Sequence, residues 1–166
     1  QLEGLGTYEH VYQKNGQQLT AVLPKSDVDW LYVAFSSDGT MLAASGQRNA
    51  KPSEENAAAC GVARLWNLAT GKVICSIEMP DSVLGAIAVV PERNWIIVAG
   101  CSEARSCDQP DAWCVKLFAI DSAYEVHSLK GHTDAVINVQ VSRDGRWAAT
   151  GSRDKTVRLW DLSQLK

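Results

Sequence analysis

Val157, Arg158, Leu159, Trp160, Asp161 and Leu162 form the stretch on which the fold turns, because it recurs upstream. Ala63, Arg64, Leu65, Trp66, Asn67 and Leu68 repeat it, and so do Val115, Lys116, Leu117, Phe118, Ala119 and Ile120. A fainter copy is Tyr8, Glu9, His10, Val11, Tyr12 and Gln13, supported downstream by the match of Asn15, Gly16 and Gln17 to Thr70, Gly71 and Lys72. The steps from Val11 to Trp66, to Phe118 and to Trp160 are 55, 52 and 42 residues. Self-similarity at such a period marks a repeat architecture, in which each unit buries its apolar face only against its neighbours.

Working outward, Trp30 to Gly39, Leu84 to Arg93 and Val136 to Gly145 superimpose and alternate with a period of two, which is strand periodicity. One side of these strands presents Leu31, Val33 and Phe35, then Gly85, Ile87 and Val89, then Ile137, Val139 and Val141. Turn chemistry follows at Ser37, Asp38, Gly39 and at Arg143, Asp144, Gly145, where Asp bonds its own backbone and Gly tolerates positive φ. A second strand then starts at Met41, Trp95 and Trp147. In the last unit the four expected strands are 125–129, 136–142, 147–151 and 156–162. A period of about 40 to 45 residues carrying four strands is that of a β-propeller blade. The extra length of the two earlier units falls between their third and fourth strands, at 47–60 and 102–112, in stretches rich in Pro, Ser, Asn, Asp and Glu that read as solvated loops. Insertions at one equivalent position project from one face, frequently the binding face.

The 166 residues are 46% hydrophobic and 21% charged, the composition of a globular chain long enough for a real core. With 16 Lys and Arg against 19 Asp and Glu, the formal charge is -3 and no basic footprint for nucleic acid appears. Apolar runs such as Leu84 to Val90 fall far short of the roughly 18 residues of a membrane span. No secretory leader is recognised, and the chain starts at Gln1 rather than Met, which reads as part of a longer protein.

Gly131 and His132 near the start of the last unit, Trp160 and Asp161 near its end, and Gly151, Ser152, Arg153, Asp154, Lys155 and Thr156 between them resemble a WD40 repeat. The resemblance is strongest over 124–162, extends over 18–72 and 72–122, and touches 6–17 through one strand. It implies an all-β fold: a partial propeller of about three four-stranded antiparallel blades plus one strand of a preceding blade. In these terms 6–13 is the last strand of the preceding repeat, followed by repeats at 18–68, 72–120 and 124–162. The family's buried hydrogen-bond network maps onto His132, Thr150, Asp154 and Trp160, and this set outweighs the alternative of a His, Asp and hydroxyl arranged for nucleophilic catalysis. At the matching positions the first unit has Ser26 and Ala44 and the second has Pro80, so those blades are expected to rely on apolar packing and ladder hydrogen bonds.

Three blades and a strand cannot close a ring, since propellers have typically 4 to 8 blades. An open arc bares apolar flanks. The expected cover is further blades of the same polypeptide, or otherwise another chain completing the ring. The five cysteines include Cys101, Cys107 and Cys114 around one loop. They leave open a disulfide, free thiols, or a zinc site, the last disfavoured by the absence of tight CxxC spacing or a nearby His. His10 and His127 read as surface or edge residues, and Trp113 as a loop anchor or an exposed contact. No phosphate-cradling glycine loop, paired acid and base motif or HExxH is present, so neither an enzyme nor a cofactor or metal is expected.

The function these observations favour is a scaffold that presents loops to a protein partner. Family-like contact positions map onto Asp27, Asp29, Gln47, Arg48, Asp81, Arg105, Thr133 and Arg153, a mixed-charge rim suited to specificity. The alternatives are a ligand- or glycan-sensing propeller within a larger signalling protein and an architectural subunit completing a propeller with another chain. Cytoplasmic residence is favoured over a secreted or periplasmic one.

Overall fold

A computed structural model describes residues 26–48, 60–80, 82–102, 113 and 115–165 of the chain. The strand expected at 6–13, together with His10, Asp81, Arg105, Cys107 and Cys114, lies outside them, as does the side chain of Cys101.

Eleven strands are described, and all neighbouring pairs are antiparallel. They are β1 (Val28–Phe35), β2 (Met41–Arg48), β3 (Cys60–Asn67), β4 (Val73–Pro80), β5 (Ser82–Val90), β6 (Trp95–Ser102), β7 (Val115–Ala119), β8 (Glu125–Leu129), β9 (Val136–Val141), β10 (Trp147–Ser152) and β11 (Val157–Asp161). They form three sheets in simple meander order: β1-β2-β3-β4, β5-β6-β7-β8 and β9-β10-β11. β1 packs on β5 and β5 on β9, so the first strand of each sheet lies next to the first strand of the following one. The chain thus forms a partial propeller of three blades.

The sheets are offset by one strand from the sequence units. β4 and β8 open the second and third units in sequence, yet they pair with β3 and β7 and complete the preceding sheets. For this reason the third sheet holds three described strands rather than four. A meander explains the offset, because the short turns after β3 and β7 return each chain alongside the strand it has just left.

Each first strand carries an irregularity at the same repeat position, between Trp30 and Tyr32, between Leu84 and Ala86, and opposite Gly151 and Ser152 where Asn138 gives way to Val136. A bulge there sharpens the local twist and re-aims the strand entering from the rim. Gly46 and Gly100 lie beside the bulge in β2 and β6. A Cβ on either would collide with the carbonyl oxygen of Asp29 or Val83, so only glycine admits the close approach.

Two apolar layers hold the three sheets together. Between the first and second lie Leu65, Ile77, Ile87, Val89, Val98 and Phe118. Between the second and third lie Val90, Ile97, Leu117, Val136, Val139 and Leu162. The middle sheet is therefore buried on both faces, and its strands read as near-continuous apolar runs. The outer sheets differ. Leu65 and Leu117 are fully buried, whereas Leu159, at the same place in β11, is 65% exposed. At the opposite end Ile87 and Val139 are 4% and 3% exposed, whereas their counterpart Val33 is 68% exposed. Phe35 and Val157 extend these two bare flanks. Of the alternating apolar side read from the sequence, Ile87, Val89 and Val139 face a neighbouring sheet and are core, those of β1 are exposed, and Ile137, also expected on that side, is 45% exposed because the bulge turns Val136 inward in its place.

The turns between first and second strands repeat in atomic detail. Asp38 Oδ1 accepts from Ser36 Oγ at 2.6 Å and from the Thr40 amide at 3.0 Å, while Asp144 Oδ1 accepts from Ser142 Oγ at 2.6 Å and from the Arg146 amide at 3.1 Å. Gly39 and Gly145 sit at φ +70° and +66°. The second unit replaces this turn with a 3-10 turn over Pro91–Arg93, closed by Asn94 at φ 57°.

Candidate functional site

The third sheet contains a chain of polar side chains running from its upper rim, the edge at which β9 begins and β10 ends, into the core. His132 Nδ1 lies 2.7 Å from Asp154 Oδ2, and His132 Nε2 lies 2.7 Å from Thr150 Oγ1. The Trp160 indole N–H donates to the same Thr150 oxygen at 2.9 Å. One neutral tautomer satisfies every group. The indole donates to the hydroxyl, the hydroxyl donates to Nε2, and Nδ1–H donates to the carboxylate. Asp154 is braced further by the Thr133 amide at 3.1 Å, the Thr156 amide at 2.8 Å and the Thr156 hydroxyl at 2.6 Å. The Thr156 hydroxyl first, then the His132 ring and these amides, hold its carboxyl well below the usual range, against the opposing effect of burial. The side chains of His132 and Asp154 are 1% and 6% exposed.

Such a set cannot work as a nucleophilic triad. The hydroxyl of Thr150 is shut from solvent at 1% exposure and already engages both the imidazole and the indole, so an incoming carbonyl has no approach to it. Among the described residues there is also no group of three His, Cys, Asp or Glu side chains that could hold a metal ion.

The described rim candidates gather at one edge, and they come together in two places. On the first sheet, Asp29 faces Gln47 in the β1–β2 register, and Arg48 Nε lies 2.8 Å from Asp27 Oδ2. Arg48 Nη2 also donates to Glu78 Oε1 at 2.9 Å, which holds the Glu78 carboxyl below its usual range and raises Arg48. On the third sheet, the amide of Arg153 donates to the Ala135 carbonyl at 2.9 Å, which seats Arg153 beside the loop of Thr133. Glu78 was missed by sequence reading because it sits on β4, a strand assigned to the next unit.

At the opposite edge the Ser37 hydroxyl donates to Glu92 Oε1 at 2.8 Å, tying the first sheet to the second. A cleft of about 290 Å³ opens beside it, walled by Phe35, Val89, Val139 and Val141 with Glu92 and Arg143 at its mouth. His127, expected at the surface or an edge, is half-buried edge-on to Trp95 at 5.3 Å between ring centroids. Trp30 and Trp66 pair at 5.5 Å with the Arg64 guanidinium over Trp30. Trp113 is half-buried. Cys75 is a buried free thiol, and Cys60, at the start of β3, is half-buried with its thiol donating to the Gly61 carbonyl at 3.6 Å.

Comparison with known proteins agrees with this architecture. Residues 123–161 match the WD40 family described as WD domain, G-beta repeat. The chain is 29% identical over 101 residues to the target of rapamycin complex subunit LST8-1 of Arabidopsis thaliana, covering 60% of this chain and 30% of that protein. It is 29% identical over 140 residues to cross-pathway control WD-repeat protein 2 of Flammulina velutipes, covering 79% of this chain and 37% of that protein. LST8 of Mus musculus is 28% identical over 99 residues. Residues 123–161 form a WD40 repeat, the chain as a whole is similar to WD-repeat proteins, and its match spans about a third of the length of these relatives. No described helix is long and apolar enough to cross a membrane.

Proposed function

We propose that this chain is a non-catalytic WD40 scaffold that presents its upper rim to a protein partner while further blades complete its ring. The observation that carries the reading is the contrast between the two polar regions. The His132, Thr150, Asp154 and Trp160 set is buried and internally satisfied, a structural tie within one blade, whereas Asp27, Asp29, Gln47, Arg48, Thr133 and Arg153 stand along one edge of two sheets. Asp81 and Arg105 belong to the same proposed rim. A rim of alternating charge contributes to partner choice and association rate more than to raw affinity. Similarity to subunits named for the target of rapamycin complex supports a life within a protein assembly.

The bare flanks support the second half of the reading. Val157 and Leu159 on one side, and Val33 and Phe35 on the other, repeat the positions that bury two interfaces within the chain, so blades of the same kind fit both. These blades come from the repeats of the same polypeptide, with 6–13 as the last strand of the preceding one, or else from another chain. Cytoplasmic residence belongs to the same proposal and accords with the free thiol of Cys75. For Cys101, Cys107 and Cys114 the reduced state is likewise proposed over a disulfide.

The test is a double charge reversal, Asp27→Lys with Arg153→Glu, in affinity purification from the source cells. Loss of stoichiometric protein partners at unchanged thermal stability supports the rim. An unchanged partner set counts against it. The cleft beside Glu92 favours one competing reading, a ligand-sensing propeller, which predicts a thermal shift with a metabolite or glycan and no dependence on Arg153.

A further inference from the structure

The rim is divided in charge between its first and third sheets. On the first sheet, Asp27 and Glu78 both pair with Arg48, and Asp29 stands at the same edge opposite Gln47. On the third sheet, Arg153 and Lys155 are exposed in the turn after β10, and Arg158 follows on β11. Among the described residues no carboxylate pairs with any of the three. The two acids that sequence would offer as counter-charges are engaged elsewhere. Asp154 is only 6% exposed and committed to His132, Thr133 and Thr156, and Asp134 accepts from the Ala135 amide.

Arg158 adds an independent sign of a missing acceptor. Its guanidinium lies against Gly131, where a Cβ would come within 2.5 Å of Nη1, so glycine at this position leaves it room. Its Nε is shut from solvent and has no hydrogen-bond partner among the described residues. Buried donors in native structures are nearly always paired, so this Nε, on the strand that follows the turn carrying two exposed cations, stands out as lacking an acceptor among the described residues.

We infer that the third-sheet rim, at Arg153, Lys155 and Arg158, binds an acidic peptide segment of the partner protein. The inference rests on the rim being the docking face and names the chemistry that docks there. A carboxylate-bearing strand or loop matches two exposed cations in one turn and a third on the strand that leaves it. A nucleic-acid backbone does not, because the chain is acidic overall and the first-sheet rim would repel continuing phosphates.

The test titrates a fluorescein-labelled polyglutamate peptide into the 166-residue chain, with a polyglutamine peptide and single-stranded oligothymidylate as controls. The expected result is saturable binding of polyglutamate alone, weakened as salt rises from about 0.02 M to about 0.3 M, and weakened at least about tenfold by R153E/K155E. The variant's thermal unfolding should match the wild type, since both side chains point to solvent. Absence of polyglutamate binding, binding unaffected by R153E/K155E, or equal binding of the oligonucleotide would overturn the inference. If polyglutamate fails while the Asp27 and Arg153 reversal still loses cellular partners, the docking face stands and only its acidic ligand is wrong.

Discussion

Trp160 and His132 meet on a single atom, the Thr150 hydroxyl oxygen, at 2.9 Å and 2.7 Å. That oxygen joins the last described strand of the chain to the loop that precedes β9, so one small side chain fastens both ends of a blade. Thr150→Val keeps the shape and removes the acceptor and the donor together, leaving the indole N–H and the imidazole unpaired in a buried site. The expected loss is about 1–3 kcal/mol by urea unfolding, with Thr150→Ser recovering most of it. An equal loss in both variants would show that the methyl group, not the hydroxyl, is what matters.

Asp154 sets the acid limit of this blade. Its folded-state carboxyl is depressed, so the stability it contributes is fully present above the unfolded value near pH 4 and is lost as pH falls through the lower folded value. Thermal unfolding between about pH 5 and pH 2 should fall more steeply for the wild type than for Asp154→Asn. Parallel curves would remove Asp154 from the account.

Leu117 and Leu159 offer the same side chain in equivalent strands with opposite exposure. Leu117→Ala should cost about 2–5 kcal/mol, while Leu159→Ala in this chain should stay within about 0.5 kcal/mol. Similar losses at the two sites would mean that β11 is covered in a way these three sheets do not provide.

Cys75 is buried on β4, and burial raises its thiol above the ordinary value, which leaves little thiolate at neutral pH. A thiol reagent at pH 7 should modify it only on unfolding, with Cys60 reacting earlier. Equal rates for both in the native chain would contradict the packing of β4 against the sheet.

Much of this architecture was legible because a propeller blade writes itself several times. The Trp160-type stretch, the Asp-Gly turns at Asp38 and Asp144 and the starts at Met41, Trp95 and Trp147 lie on the strands and turns that their pattern implied. The turns were readable because their hydrogen bonds are local, closing within five residues. What periodicity could not show was which sheet a strand joins: β4 and β8 have the pattern of unit openers and the pairing of sheet closers. Nor could it separate Val33 from Ile87. Both alternate inward, and only the presence of a neighbouring sheet makes one of them core. The Arg48 link to Glu78 and the Ser37 link to Glu92 were equally silent, since they join residues 30 and 55 positions apart.

The account as a whole stands on three equivalent wedges whose end faces are complementary and bare. The mass of the purified 166-residue chain in solution, followed over a range of concentrations, tests this most directly. The prediction is a mass that rises above 18.0 kDa with concentration and returns to it when Leu159 and Val33 are both changed to Glu. A chain that stays at that monomer mass at every concentration, with no apolar surface detectable by dye binding, would contradict it.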